Sequence, residues 1–326
     1  PQDSLAMAPR KPLELNATLI KRIDLAEGLT IFRVRPEAHD FQTFEPGQYV
    51  VLGLNHPEHG PVQRSYSIAS PPQTLPDYLD FYVRYVVRPA SENPLTHLLF
   101  KLKEGDRLFM GPKFRGKFTV THEVGADDPR LRVLVAAGTG LAPFTSMVFD
   151  HLHRFGPTQQ YLVLHGASYP HDLGYREELE KALNTDPANK RYFPTISRDP
   201  GSEPWPADGF RGRVEYFFEA DKLPKLEKAA GLPEGFITPQ NAVVFICGLT
   251  GTIANTLTNL LDRGFIPREL KLRNALHIPA DTPPSLFFEQ YDTEPVLDVK
   301  NDEAMKPYRE RLEKAGVILA SPTASA

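Results

Sequence analysis

Arg64-Ser65-Tyr66-Ser67 places a permanent cation, an aromatic face and two hydroxyls in four consecutive residues. On a strand, side chains alternate between faces, so Arg64 and Tyr66 point one way and Ser65 and Ser67 the other. Such a strip suits an anionic, planar ligand with hydrogen-bonding edges, and a flavin dinucleotide has those properties. A second stretch with chemistry in it is Gly138-Thr139-Gly140-Leu141-Ala142-Pro143. Glycines permit close backbone approach and a helix start offers free N–H groups, so the stretch suits a phosphate; a tight turn of purely structural use is the alternative. The third glycine of the full dinucleotide fingerprint is missing. Ser197-Arg198 and Arg211-Gly212-Arg213 supply guanidinium groups that either hold a phosphate monoester or simply face solvent. Cys247-Gly248 closes an apolar run, where the cysteine is a small buried hydrophobe or lines a ligand cleft.

Two sequence periods must position these groups. Leu13–Ile23, Leu29–Val34, Gly47–Leu54, Val62–Ile68, Leu79–Val87 and Arg107–Met110 are short runs separated by turn residues. They predict a small antiparallel β-barrel of six strands, interrupted by a helix over Pro94–Leu102. At Leu131 the period changes. Leu131–Ala137 is almost continuously apolar, as in a strand buried on both faces. Tyr161–His165, Tyr192–Ser197 and Ala242–Cys247 predict further strands. Helices are expected after the Gly138 stretch to Phe155, over Tyr175–Leu183, over Val214–Ala220 and over Thr252–Asp262, with a Pro/Gly-rich loop over Asp199–Gly212. Alternating strand and helix predicts a parallel-sheet α/β domain. The chain thus divides into a β-barrel domain at 12–120, an α/β domain at 130–291 and a C-terminal extension at 292–326. In the extension Met305, Tyr308, Leu312 and Ala315 share a helical face that Gly316 can cap, with Pro307 in the first turn or at a kink. The tail Ser321–Ala326 is expected to be disordered.

Composition narrows the function. The chain has 326 residues, 41% apolar and 24% charged, with a net charge of −4. That charge is too mild to point to nucleic acid or an anionic membrane. No apolar run approaches the ~20 residues of a membrane span, and Pro1–Ser4 lacks the start of a signal peptide, so a cytoplasmic protein is expected. The single cysteine excludes an internal disulfide and a Cys-ligated iron–sulfur cluster within the chain. None of the ten histidines stands in a metal-binding spacing, so no metal is expected.

Taken together and in order, the motifs resemble the ferredoxin–NADP reductase family over roughly Leu13 to Tyr291. The resemblance implies an FAD barrel followed by an NADP(H) α/β domain. It implies that Arg64 and Ser65 lie at the FAD, Arg64 on its pyrophosphate, that Tyr66 stacks on the isoalloxazine and that Ser67 hydrogen-bonds flavin N5. Tyr82, Val83 and Arg84 fall on the strand that lines the flavin, and Leu95-Thr96 on the helix start beside its pyrophosphate. Gly138, Thr139, Gly140, Ala142 and Pro143 match the NADP(H) pyrophosphate loop; Ser197, Arg198 and Arg213 match the 2′-phosphate site, where Ser168 stands in place of an Arg that bacterial members often carry. Cys247-Gly248 and Glu289 resemble the nicotinamide side, and Tyr291 the residue that covers the second flavin face. Ser67, Cys247, Glu289 and Tyr291 are therefore the candidate catalytic residues. The implied activity is NADPH-dependent hydride exchange at flavin N5, with single electrons passing to or from ferredoxin or flavodoxin. A reductase component serving an oxygenase, or a non-catalytic flavin-binding subunit of a larger complex, are the alternatives. Asp292, and the extension after it, depart from the family pattern; the extension is expected to cover the adenine end of FAD, pack on the barrel or contact another subunit.

Overall fold

The structure is a computed structural model that describes residues 11–37, 43–88 and 94–320. The N-terminal Pro1–Ser4 and the 321–326 tail lie outside the described residues.

Strands β1 (Ala17–Ala26), β2 (Leu29–Pro36), β3 (Tyr49–His56), β4 (Gly60–Ser67), β5 (Leu79–Arg84) and β6 (Arg107–Met110) form one sheet in the order β4-β3-β6-β1-β2-β5. Every pair in it is antiparallel. Inward side chains of all six strands meet in one apolar core that includes Leu19, Phe32, Leu52, Val62, Phe81 and Met110. The sheet's two ends approach where Ala69 N–H donates to Asp80 O at 2.8 Å, so it curls into the expected barrel. The first strand starts later than its apolar alternation suggests. Asn55 holds the backbone of Leu13 at both N–H and C=O, at 2.8 and 3.0 Å, in place of ladder bonds.

Strands β7 (Leu131–Ala137), β8 (Tyr161–Ala167), β9 (Tyr192–Ile196), β10 (Phe210–Arg211), β11 (Ala242–Gly248) and β12 (Leu286–Gln290) form a second sheet in the order β10-β9-β8-β7-β11-β12. All of its pairs are parallel. Val133 and Val135 feed one apolar cluster and Leu134 and Ala136 the other, which is why β7 reads as continuously apolar. Two strands were not expected. β10 is a two-residue edge strand at the end of the Pro/Gly-rich loop, and β12 is a short apolar run on the opposite edge. Val214–Phe218 forms a 3-10 turn rather than an α-helix.

Of the places expected for the extension, the barrel is not the one found: it packs on the α/β domain. Leu297, Met305 and Leu312 are buried in the cluster that also holds Leu257 and Leu260. The helix Asp302–Lys314 lies against the helix Thr250–Leu261, Arg311 pairs with Asp262, and Ala320 N–H donates to His277 O at 2.8 Å. Pro307 stands in the second turn of this helix, which leaves a kink as the one of its two expected roles still open.

The barrel and the second sheet share a core. Leu29, Ile31 and Tyr82 pack with Leu134, Phe144, Met147 and Phe245. Thr145 Oγ1 and Ser146 Oγ, on the helix Ala142–Phe155, donate to Ala69 O and Ser70 O at 2.8 and 2.9 Å. That helix is thereby tied to both units, which holds the end of β4 at a set distance from the ends of β7 and β11.

Candidate active site

Between β7 and β11 the strand order reverses. Open parallel sheets bind ligands beyond their strand C-termini at such a point. Gly138–Leu141 leaves β7 as a 3-10 turn and runs directly into the helix Ala142–Phe155, with Pro143 in its first turn. Gly138 has φ +54°, and a Cβ placed on it would meet no atom within 4 Å. The turn therefore faces open space in a conformation that favours glycine. Gly140 is the reverse case: its Cβ would lie 2.1 Å from Cys247 O. Only glycine lets the turn press against the end of β11. The N–H groups of a first helical turn have no intrahelical partner, so this turn, open on the Gly138 side, has the donor set and the room for a pyrophosphate.

The opposite wall is the end of β4. Ser67 is 9% exposed, and its Oγ donates to Glu289 Oε2 at 3.2 Å. The Tyr291 hydroxyl donates to Ser67 Oγ at 3.4 Å and lies 3.4 Å from Thr139 O. Glu289, on β12, is paired in register with Cys247 on β11, and Cys247 is fully buried. Residues from the barrel, from two strands of the second sheet and from the segment after β12 thus meet at one point. Burial pushes the Glu289 carboxyl up to about 7, against the hydrogen bond from Ser67. Burial, then the charge of Glu289, raises the Cys247 thiol, and burial likewise raises the Tyr291 phenol. At neutral pH the thiol and phenol keep their protons while Glu289 is divided between its two forms.

The raised carboxyl has a consequence for stability. A carboxyl that titrates near 7 when folded and near 4.5 when unfolded stabilises the fold fully below pH 4.5 and loses that contribution as pH rises through 7. Glu289→Gln removes the ionisation. The variant should therefore gain on the natural protein between pH 5 and 8, by up to about 3 kcal/mol. Thermal unfolding of the cofactor-free chain at the two pH values measures it; a pH-independent difference would contradict the raised carboxyl.

Tyr291 is 44% exposed, yet its hydroxyl end is enclosed. Its N–H donates to Gly248 O at 3.1 Å. The next residue explains a departure noted in the sequence. The Asp292 carboxylate accepts from Thr250 N–H at 3.0 Å, from the Thr250 hydroxyl and from Gln290 Nε2. It caps the helix Thr250–Leu261 and so tethers Tyr291 from its C-terminal side.

The profile of the family "Oxidoreductase NAD-binding domain" matches residues 134–256. The chain is 36% identical over 222 residues to ferredoxin–NADP reductase B of Sorangium cellulosum (strain So ce56), covering 68% of this chain and 80% of that protein. It is 30% identical over 228 residues to the ferredoxin–NADP reductase of Azotobacter vinelandii, covering 67% and 79%. The chain belongs to the ferredoxin–NADP reductase family. A solved ferredoxin NADP+ reductase from Neisseria gonorrhoeae, with bound FAD and NADP, has the same fold: TM-score 0.62 and 21% identity, over 85% of this chain and 96% of that one. As a member of the family, the reductase is an FAD-dependent enzyme that uses NADP(H).

The other expected site residues of the reductase divide into two sets. On β4 the register sets Arg64 opposite Leu52 and Tyr66 opposite Val50. Tyr66 is half-buried against the barrel core; Arg64 and Ser65 are exposed, with the Arg64 guanidinium donating to Gln63 O at 2.7 Å. At the other edge, Arg198 N–H donates to Ser168 O at 3.1 Å and Ser197 Oγ to Ala167 O at 3.4 Å. Arg198 lies over the Tyr169 ring, and Arg213, 64% exposed, stands 3.9 Å from buried Glu215. These residues gather past the ends of β8, β9 and β10, where a basic edge forms. In contrast, the side chains of Tyr82, Val83, Arg84 and Leu95 are engaged away from the cleft. The Tyr82 hydroxyl donates to Asp172 O and accepts from Gly174 N–H, both at 3.0 Å, and Arg84 pairs with Asp172 at 2.8 Å. Val83 and Leu95 are buried in the barrel core, and the Thr96 hydroxyl accepts from Val86 N–H at 3.3 Å. Alternation on β5 explains these partners: one of its faces is the barrel interior and the other is the contact between the two units. Sequence reasoning passed over Tyr169, Glu215 and the histidine at 165. For the last, the available signal was a titratable ring inside an apolar strand.

Among the described residues, no group of three or more His, Cys, Asp or Glu is placed to hold a metal ion, and no helix is long and apolar enough to cross a membrane.

Proposed function

We propose that the reductase exchanges electrons between NADPH and a ferredoxin or flavodoxin, with FAD along the β4 wall and NADP(H) along the Gly138 turn. The observation that carries this reading is the meeting of Ser67 with Glu289, Tyr291 and Cys247 across the seam between barrel and sheet. FAD, when bound, supplies the conversion between hydride transfer and single-electron transfer. The chain supplies position and protons. Arg64 and Ser65 offer a cation and a hydroxyl to the anionic part of the ligand, and Tyr66 and Tyr291 offer faces to its ring. Ser67 Oγ presents a hydrogen bond at the end of β4, and Glu289 Oε2 behind it gives or takes a proton at that oxygen near neutral pH. Arg198 and Arg213 hold a 2′-phosphate, which favours NADPH over NADH. A cytoplasmic site of action belongs to the same proposal.

Tyr291 occupies the place that the nicotinamide must take, so it acts as a gate. Tyr291→Ser removes the competitor and should tighten NADP+ binding about tenfold, roughly the effect of losing one aromatic contact. Titration of the FAD-loaded variant with NADP+ measures this, and unchanged affinity removes the gate. The carrier is tested by following reduction of purified ferredoxin and flavodoxin by NADPH in the presence of the reductase. Flavin reduction that reaches neither carrier would overturn that part of the proposal.

A further inference from the structure

His165 lies on β8, in register with Ala136 of β7, and is fully buried. Its Nε2 is 3.2 Å from Gly138 O and its Nδ1 is 3.1 Å from the Tyr192 hydroxyl. A carbonyl oxygen only accepts, so Nε2 carries the proton. In the neutral ring Nδ1 then accepts, and the Tyr192 hydroxyl, on β9 and 1% exposed, donates to it. Burial pushes the imidazole down to about 4, which keeps the ring neutral. A directed chain therefore runs from Tyr192 O–H through His165 to the first carbonyl of the turn after β7.

The direction of that carbonyl matters because a trans peptide is planar, with its C=O and N–H pointing opposite ways. The Gly138 carbonyl and the Thr139 N–H belong to one peptide unit. Holding the carbonyl inward on His165 turns the Thr139 N–H outward, toward the open space beside Gly138. We propose that His165, with its proton site set by Tyr192, is a positioning residue for the pyrophosphate of NADP(H): it aims the Thr139 N–H. This inference rests on the reading of the Gly138 turn as the pyrophosphate cradle.

The test is calorimetric titration of the FAD-loaded protein with two ligands, NADP+ and adenosine 2′-monophosphate, which has the 2′-phosphate but no pyrophosphate. His165→Phe keeps a ring and loses the N–H. NADP+ should bind about fivefold more weakly, the effect of one neutral hydrogen bond, while adenosine 2′-monophosphate binds as before. His165→Gln, which can still donate to Gly138 O, should recover most of the loss. Tyr192→Phe removes only the hydroxyl that sets the proton site and should weaken NADP+ about twofold. Unchanged NADP+ affinity in His165→Phe, or an equal loss for both ligands, overturns the proposal. Should His165→Phe fail to fold, the milder Tyr192→Phe decides: NADP+ binding like that of the natural protein overturns it. Gly138→Ala separates the underlying reading. If that variant binds NADP+ normally, the turn is not the pyrophosphate site; if it weakens NADP+ while His165→Phe does not, only the role of His165 falls.

Discussion

Replacing Ser67 by alanine should slow reduction of the bound flavin by NADPH about a hundredfold, the range for a positioned proton-handling group. The hydroxyl reaches from β4 to the second sheet's carboxyl, at 3.2 Å from Glu289 Oε2. It also receives the Tyr291 hydroxyl. Its removal therefore breaks the path between cleft and carboxyl and frees one end of the covering tyrosine. Glu289 also loses the hydrogen bond that lowers it, so its carboxyl moves further up. NADP+ affinity, which the proposal assigns to the turn and the basic edge, should change by less than about threefold, which is under 1 kcal/mol. Stopped-flow bleaching of the flavin gives the rate and a separate titration gives the affinity. A Ser67→Ala enzyme reduced at the natural rate would remove Ser67 from the chemistry.

The second large effect belongs to Gly140. An added methyl would sit 2.1 Å from Cys247 O and 2.7 Å from Cys247 C. Both are backbone atoms of a central strand, so neither can swing aside. Gly140→Ala should destabilise the protein by about 1–3 kcal/mol, the range for overpacking a tight contact. It should also weaken NADP+ at least tenfold, because the turn must lift away from β11 and take its N–H groups with it. Thermal unfolding and NADP+ titration measure the two effects. A variant with natural stability and affinity would show that the turn does not depend on this contact.

Much of the fold was legible in the chain because its signals are local. The short runs of the first third alternate with period two, and β7 and β11 are apolar throughout, as strands buried on both faces must be. β12 was hidden because five residues, the first two buried and the last three half-buried, carry little periodicity. The extension's packing on the α/β domain was not foreseen because its apolar face, Met305 and Leu312, shows that it packs but not on what. Of the candidate site, glycine and arginine spacing marked the Gly138 turn and Arg198 and Arg213 but left a structural turn and solvated arginines as alternatives. The junction of Ser67 with Glu289 spans 222 positions, and no periodicity reports a contact across that separation. The resemblance supplied the two residues but not their contact. Tyr82 and Arg84 show another limit: the strand was found, but no local pattern showed that their side chains bond Asp172 and Gly174.

The most direct measurement of the proposed chemistry compares flavin reduction by NADPH and NADH in a stopped-flow instrument. Two guanidinium groups past the ends of β9 and β10 should each add a charge-assisted hydrogen bond to the 2′-phosphate, so NADPH should be favoured at least tenfold in apparent affinity. Arg198→Ala and Arg213→Ala should each erode that preference without slowing NADH. Equal rates and affinities for the two nucleotides would contradict the placement of NADP(H) on this edge of the sheet.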